Sequence, residues 1–396
     1  MNRLPRGWRA AGWFGVVLGA LAVLLTLPPI EVRTPVVPVV IGLFALTVGI
    51  GSLIRGERRV GGFAVAAGIG GLVLGYLATR SSVGHLEATV VWGALLAAML
   101  RYATPLMCAS LGALFSERSG VVNIGLEGMM LMGAFFSVWG ADVTGTWTLG
   151  LVIGMASGAL MGLVHAFFSI TLRADQIVGG TAINFIGLGI TSYLFVKLYG
   201  AQGTPRDLSN VPDLSFGFLG HIPLVGGFLD DVFGHLNVMI WAVIALVFVV
   251  WVVVFKTSLG LRLRSVGEHP RAADTVGINV YGVRYAAVIL SGMLAAIGGA
   301  FISLAFVNSF TPNMIAGRGF IALAALIFGN WRPFGLAAAC LLFGFSSALA
   351  VNLQAYSTSV STLFTALPYV LTLVAVAGVI GRSIPPAADG KPYVKQ

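Results

Sequence analysis

The sequence has 396 residues, of which 58% are hydrophobic, only 9% are charged and 53 are glycine. Soluble domains carry far more charge than this, so the composition predicts an all-α, polytopic membrane protein and excludes a soluble globule. The net charge of +9 comes from basic residues dispersed between apolar runs, which fits cytoplasmic loops better than a surface that binds nucleic acid.

Apolar length places twelve membrane spans along the chain. The N-terminus has the charge pattern of a signal peptide, but Pro28 and Pro29 follow it in place of a small-residue cleavage site, so we interpret it as an uncleaved first span. The predicted spans are 11–27, 36–54, 60–78, 102–116, 121–139, 148–170, 177–196, 237–255, 286–306, 318–329, 334–352 and 360–381.

The distribution of positive charge sets the orientation of these spans. If the chain starts inside, 17 of its 23 Lys and Arg residues fall on the cytoplasmic side and six on the outer side. Cytoplasmic loops are enriched in Lys and Arg, so both termini are predicted to be cytoplasmic. The segment 86–101 stops at Arg101 and is predicted to be an interfacial elbow on the outer side. The polar segment 197–236 is predicted to be an external loop that either receives an extracytoplasmic partner or is simply solvated.

One acidic residue, Glu127, lies well inside a predicted span, and Asn123 precedes it by four positions on the same predicted helical face. Glycines such as Gly125 surround them and permit a broken helix, which membrane proteins tolerate where the backbone is buried in protein or lines a cavity. We therefore predict that Asn123, Gly125 and Glu127 line or brace a translocation path. The alternative is that Glu127 caps backbone groups of a neighbouring broken helix.

A second irregular element begins at Asn308 and Ser309, which are also polar candidates for the path. The apolar helix that starts at Arg318 has about a dozen residues, or roughly 18 Å, which is too short for a bilayer core of about 30 Å. The chain before it must therefore dip into the membrane. A cation at a helix N-terminus is disfavoured, so Arg318 is expected to meet a carboxylate or a polar substrate, or else to snorkel to the outer surface. Asn184, in the seventh span, is a further polar candidate for the path.

The segment Gly260–Ile278, GLRLRSVGEHPRAADTVGI, is a polar island between two apolar runs. Pro270 suits the first turn of a helix and Gly277 suits its end, so we predict a turn at 267–268 and then a short helix beneath the membrane. Such a helix suits docking of a cytoplasmic partner. The alternative is an ordinary charged loop between two spans.

Three stretches of the chain resemble one family. Gly260–Ile278 resembles the cytoplasmic coupling loop of ABC importer permeases of the sugar and nucleoside branch, whose pattern is close to G-x-R-x-R-x-V-G-E-N-P-x-A-A. Ala103–Ala134 and Thr311–Gly335 resemble the same family, and look most like permeases of the nucleoside-import type. The resemblance covers about 100–380. His269 stands where the family usually has Asn.

The resemblance implies a ten-helix permease core with short or broken helices, preceded by about two extra N-terminal spans. The implied division is 1–85 for the N-terminal spans, 86–381 for the core with its coupling loop at 256–285, and 382–396 for a cytoplasmic tail. A bulky residue at Gly267 is expected to abolish coupling without disturbing the fold. The residues implied in coupling to an ATPase are Arg264, Gly267, Glu268, His269, Pro270 and Arg271.

The resemblance also implies partners in the plasma membrane of a prokaryote: two ATP-binding subunits, a second and related permease, and an extracytoplasmic substrate-binding protein. The substrate it implies is a nucleoside, with a simple sugar as the alternative. The sequence contains no G-x-x-x-x-G-K-[ST] loop, so ATP is expected to be used by the partners and no cofactor by this chain. It also predicts no catalytic or metal site.

Two rival classes of protein are compatible with the sequence. The first is an ion-coupled secondary transporter, for which Glu127 is the main support, because such transporters need ionisable groups within the membrane. The second is a membrane-bound structural or assembly protein, which would leave the GEHPRAAD sequence unexplained.

Overall fold

The computed structural model describes residues 7–25, 36–80, 92–200, 203–205, 208–218, 220, 226–354 and 384–395. Over these ranges the chain is almost entirely helical, with one short two-stranded antiparallel sheet. The helices are α1 Gly7–Leu25, α2 Val36–Ile54, α3 Arg58–Arg80, α4 Trp92–Arg118, α5 Leu126–Thr144, α6 Trp147–Ala166, α7 Gln176–Tyr199, α8 Gly226–Phe233, α9 Val238–Lys256, α10 Ser258–Glu268, α11 Pro270–Thr275, α12 Val280–Ala300, α13 Arg318–Phe328 and α14 Pro333–Gln354, and the strands are β1 Asp213–Ser215 and β2 His235–Asn237.

Six of the described helical stretches are long and apolar enough to cross a membrane. Shorter apolar helices accompany them, including α13 with 11 residues. The chain is therefore a multi-pass membrane protein, and the predicted all-α, polytopic class is confirmed. The six stretches are Gly93–Arg118, Trp147–Thr171, Gln176–Tyr199, Val238–Lys256, Val280–Phe306 and Pro333–Asn352.

The chain forms two compact units, the first made of residues 1–96 and 346–382 and the second of 97–345 and 383–396. In the first unit, small residues bring α1, α2 and α3 together. A Cβ added to Gly49 would lie 2.7 Å from the backbone nitrogen of Val65, and one added to Gly19 would lie 2.6 Å from the Cβ of Ala67. Close backbone approach through glycine is the usual way that membrane helices associate.

The second unit is built around α5, α6 and α12. Gly158 of α6 and Gly292 of α12 face each other so closely that a Cβ on either would collide with the carbonyl oxygen of the other. Gly133 of α5 packs in the same way against Ala296. These contacts leave no room for larger side chains, so the glycines determine how closely the three helices pack.

Two helices of this unit end in π-helical segments. Residues Phe167–Thr171 continue α6, and residues Phe301–Phe306 continue α12. The N–H group of Val307 donates to the carbonyl oxygen of Ile302 at 2.9 Å, five residues earlier. Such wide turns are rare and usually short.

Three predicted boundaries are wrong or fall outside the described residues. The part of the predicted elbow that is described, 92–101, belongs to the continuous helix α4, and Arg101 donates to the carbonyl oxygen of His235 in β2 at 3.2 Å. This hydrogen bond gives the cation a partner within an apolar helix. The fifth span begins at Leu126, five residues after its predicted start. The predicted span 360–381 lies outside the described residues.

The predicted external segment contains ordered elements. Strand β1 pairs with β2 in antiparallel fashion, with Leu214 opposite Leu236. Asn237 then caps α9, because its Oδ1 accepts the N–H of Met239 at 2.8 Å. Strand β2 therefore leads directly into α9.

Close packing of α6 and α12 can be tested at Gly292. We expect Gly292→Val to destabilise the folded protein by about 1–3 kcal/mol or more, because the new side chain must push the backbone of α6 away. Gly189→Val is the matched control, since nothing lies within 4 Å of a Cβ at that exposed position. Thermal denaturation in detergent measures both variants. Equal melting temperatures would contradict a direct backbone contact at Gly292.

Candidate functional site

The chain between α4 and α5 is enclosed by protein but is not helical. α4 ends at Arg118, α5 begins at Leu126, and the residues between them are buried or half-buried. Backbone N–H and C=O groups at such a place must find partners within the protein. The neighbouring helices provide several of these partners through their side chains.

Two side chains, one near the C-terminal end of α6 and one at the N-terminal end of α7, bind the backbone of Val122. The N–H of Val122 donates to Oε1 of Gln176 at 2.7 Å, and its carbonyl oxygen lies 3.0 Å from Nε2 of His165. A carbonyl oxygen only accepts, so this ring nitrogen carries the proton. Sequence reasoning missed both residues, although a polar side chain buried in or beside an apolar helix is a signal that could have identified them.

Asn123 is fully buried and braces the same segment. Its amide nitrogen donates to Oγ of Ser291 in α12 at 2.9 Å, and its Oδ1 accepts the N–H of Gly125 at 3.0 Å. Asn123 precedes α5 whereas Glu127 lies in its first turn, so the prediction that they share a helical face is wrong. The error follows from the later start of the helix. Asn123 and Gly125 are predicted to line or to brace a translocation path, and in these contacts they brace the segment before α5.

Asn184 of α7 makes a paired contact with the start of α5. Its amide nitrogen donates to the carbonyl oxygen of Ile124 at 3.0 Å, and its Oδ1 accepts the N–H of Gly128 at 2.8 Å. Both ends of the amide are therefore hydrogen-bonded to backbone. Its predicted place beside the path stays a prediction, and in this conformation it holds the broken helix.

Glu127 joins two helix N-termini. It lies in the first turn of α5, and its carboxylate accepts two N–H groups at the start of α13, from Gly317 to Oε1 and from Gly319 to Oε2, each at 2.7 Å. A Cβ on Gly319 would lie 2.6 Å from the backbone nitrogen of Glu127, so the two helix ends nearly touch. This geometry is the predicted alternative, in which Glu127 caps a neighbouring broken helix.

Arg318 begins α13, as predicted. Its Nη1 donates to the carbonyl oxygens of Met314 at 3.0 Å and of Ile315 at 2.9 Å, in the loop just before the helix. Its charge also interacts with that of Glu127. These contacts compensate a cation at a helix N-terminus, the position that the macrodipole disfavours.

A cavity of about 440 Å³ lies where α7 and the π-helical segment after α12 end. These ends lie away from the coupling segment, on the side that the charge distribution predicts to be outer, so this pocket is named the outer cavity. Oδ1 of Asn308 is buried there without a hydrogen-bond partner, and the N–H of Phe310 donates to Oγ1 of Thr204 at 3.2 Å. The lining residues are Phe195, Gly203, Thr204, Pro205, Val307, Asn308, Ser309, Phe310 and Thr311.

The predicted coupling segment consists of two short helices, α10 and α11, joined at His269. The second helix begins at Pro270, as predicted. The turn predicted at Gly267 and Glu268 is wrong, because both residues complete the last turn of α10. The segment before Pro270 is therefore more helical than its charge and glycine content suggested.

The residues implied in coupling differ in their exposure. Glu268, His269 and Arg271 are exposed, as a docking contact requires. Gly267 is buried, and a Cβ there would collide with the carbonyl oxygen of Arg118 at the end of α4. The expectation that a bulky residue at Gly267 leaves the fold undisturbed is therefore wrong.

Arg264 and Pro270 are half-buried at the same surface. The guanidinium carbon of Arg264 lies 5.2 Å from the centre of the Phe255 ring, and that of Arg118 lies 5.8 Å from it. Cations placed over an aromatic ring in this way are attracted by its quadrupole. Arg264 therefore holds α10, and Arg118 holds the end of α4, against Phe255 near the end of α9. The roles of all six residues in coupling stay predictions.

Membrane helices with two buried breaks and a helical segment between two spans are typical of a transport permease. The chain belongs to the family described as branched-chain amino acid transport system / permease component, which matches residues 95–376. Members of this family are transporter components and are not enzymes in themselves, and the predicted permease class is confirmed.

Individual relatives cover most of the chain. It is 44% identical over 309 residues to the guanosine ABC transporter permease protein NupQ of Bacillus subtilis, covering 75% of this chain and 95% of that one. It is 41% identical over 310 residues to the nucleoside ABC transporter permease protein NupC of Lactococcus lactis, covering 76% and 96%. It is 38% identical to the putative glucose ABC transporter permease protein TsgC13 of Haloferax volcanii, covering 66% and 78%.

The first two organisms each have a second, less similar permease. The guanosine ABC transporter permease protein NupP of Bacillus subtilis is 26% identical to this chain, and the nucleoside ABC transporter permease protein NupB of Lactococcus lactis is 24% identical. The permeases related to this chain therefore come in pairs.

The bridging role of Glu127 can be tested by substitution. Glu127→Ala removes the acceptor of two charge-assisted hydrogen bonds and is expected to cost about 3 kcal/mol or more of stability. Glu127→Gln keeps one acceptor oxygen but turns an NH₂ group towards the other N–H, so both its stability and its transport should be intermediate. Melting temperature in detergent and uptake into vesicles measure the series.

Asp231→Asn is the matched control, because that carboxylate is exposed on α8. Its melting temperature should equal that of the unaltered protein. Equal stability of Glu127→Ala and Asp231→Asn would show that the contact between α5 and α13 does not depend on the carboxylate.

Proposed function

We propose that this chain is one transmembrane subunit of an ATP-driven importer that carries a nucleoside into the cell. The observation that carries the proposal is the similarity, over three quarters of the chain, to permeases named for guanosine and nucleosides. The exposed residues of α10 and α11 support it, because a permease of this kind receives its energy through such a surface.

The proposed assembly contains a second permease, two ATP-binding subunits and an extracytoplasmic substrate-binding protein. The paired permeases of the related systems support a partner that is related but distinct. The ATP-binding subunits dock on α10 and α11, and the binding protein delivers solute at the outer segment 197–236. The membrane is the plasma membrane of a prokaryote, with both chain termini in the cytoplasm.

The outer cavity has properties that suit the proposed substrate. Its volume of about 440 Å³ lies within the range of small-molecule sites. Phe195, a half-buried lining residue that packs on Phe310 with ring centres 5.7 Å apart, offers aromatic surface to a base. The free Oδ1 of Asn308 offers an acceptor to a sugar hydroxyl. The proposed substrate enters the path here.

Uptake into vesicles tests the function. Vesicles that contain the complete complex should accumulate labelled guanosine only with ATP inside the compartment that holds the ATP-binding subunits, and collapse of the proton gradient should not reduce the rate. Glucose is the matched competitor, because one relative is named as a putative glucose permease. Competition by glucose but not by nucleosides would indicate a sugar permease. Uptake driven by an ion gradient without ATP-binding subunits would contradict the proposal.

Asn308 allows a separate test of the outer cavity. Its φ of 52° is in the left-handed region, where glycine is favoured, so Asn308→Gly removes the side chain without backbone strain. We expect normal insertion and melting temperature but at least a fivefold loss of guanosine uptake at low substrate concentration. Asn313→Gly, at a φ of 61° on an exposed part of the same loop, is the control and should transport normally. Equal uptake by both variants would exclude substrate contact at Asn308.

A further inference from the structure

The C-terminal tail, residues 384–395, lies against the coupling helices. The N–H of Ala388 donates to the carbonyl oxygen of Gly267 at 2.9 Å, and the N–H of Ala387 donates to Oε2 of Glu268 at 3.2 Å. Both acceptors belong to the last two residues of α10. The tail therefore binds α10 at the point where α11 begins.

The same tail also holds the base of α12. The guanidinium Nη1 of Arg284 donates to the carbonyl oxygen of Lys391 at 3.1 Å. The hydroxyl of Tyr281 donates to the carbonyl oxygen of Tyr393 at 3.3 Å, and the two rings lie with their centres 5.5 Å apart. The tail thus spans from the coupling helices to the membrane helix that follows them.

Tyr393 enters the small apolar core of the coupling segment. It is 6% exposed and packs with Val266 of α10, Ala273 of α11 and Val280 of α12. One residue from the tail therefore completes a cluster to which all three helices contribute. Without its ring, this cluster would be open to water.

The tail provides part of the compensation for the buried positive charge of Arg284. It is 1% exposed, and apart from the tail its Nε donates to the carbonyl oxygen of Ser119 at 3.1 Å. The Asp389 carboxyl lies near enough for their charges to attract, although burial raises the pKa of Asp389 to about 7. A buried cation requires such partners.

A further contact reaches the turn after α13. The N–H of Ile384 donates to Oδ1 of Asn330 at 3.1 Å. α13 is the helix whose other end is capped by Glu127. The tail therefore touches the coupling helices, α12 and the end of α13 within about a dozen residues.

We propose that the tail, residues 384–395, is a positioning element that makes α10 and α11 move together with α12 and α13 when the ATP-binding subunits act. The proposal rests on the proposed function, since it concerns how ATP hydrolysis is converted into transport. α11 is otherwise joined to its neighbours by His269 on one side and by residues 276–279 on the other. Besides these joints, α11 packs on α10 and α12 through Ala273, its one buried residue, and so small a contact would transmit a push poorly.

The test measures guanosine uptake and ATP hydrolysis in the complete reconstituted complex. Truncation after Ser383 removes the tail, and Tyr393→Ala removes its buried ring while leaving the chain intact. Tyr193→Ala is the matched control, because that ring is 64% exposed on α7. Tyr393→Ala and the truncation should each lower guanosine uptake per ATP hydrolysed at least fivefold, with the ATP-binding subunits still co-purifying. Tyr193→Ala should keep the unaltered ratio.

A covalent crosslink between the tail and α12 gives a second test, which does not depend on destabilising the protein. In the double variant Tyr281→Cys and Tyr393→Cys, a short bifunctional thiol reagent should join the tail to α12 and raise the low transport ratio of the unlinked double variant. The native Cys108 and Cys340 are fully buried and need not be replaced. A crosslink that leaves the ratio low would contradict the proposal.

The outcomes separate this proposal from the function on which it rests. If guanosine uptake per ATP hydrolysed is unchanged in both Tyr393→Ala and the truncated chain, the proposed role of the tail is wrong. The proposed importer function is not affected by that result. If ATP-binding subunits are lost in proportion to uptake, while guanosine uptake per ATP hydrolysed is unchanged, the tail is a docking surface for these subunits. That result would also overturn the proposed role of the tail. Absence of ATP-driven guanosine uptake in the unaltered complex would overturn both.

Discussion

The carboxylate of Glu127 makes it possible for two helix N-termini to meet inside the protein. Each N-terminus carries a partial positive charge and free N–H groups, so bringing two together without an anion would be unfavourable. Glu127 places a negative charge in the first turn of α5 and accepts two N–H groups at the start of α13. This one group therefore links α13 to α5.

The same constraint explains the polar side chains around the first break. Irregular backbone enclosed by protein at membrane depth must be hydrogen-bonded, and Gln176, His165 and Asn184 provide partners from two other helices. In this conformation each of these side chains therefore has a structural role. At the outer cavity, Oδ1 of Asn308 is buried without a hydrogen-bond partner among the described residues.

Much of the fold could be predicted from the sequence, because apolar length and the position of charge determine where a membrane helix can lie. The bounds of α2 and the starts of α11 and α13 were predicted from apolar runs, proline and the length of the helix. The later start of α5 could not be predicted, because Val121 to Gly125 is as apolar as a helix and its break is stabilised by residues distant in sequence. The contacts of the tail were missed for a related reason: they use backbone N–H and C=O groups, which carry no sequence signal.

The π-helical segment at the end of α12 affects how the outer cavity is formed. Each wide turn contains one residue more than an α-helical turn, so the side chains on either side of the segment are offset by about 100° from a continuous α-helix. The N–H of Val307 still belongs to this wide pattern, and Asn308 follows immediately. Which side chain faces the cavity is therefore decided by hydrogen-bond register as well as by residue type, and a shift of the wide turn by one position would present a different residue there.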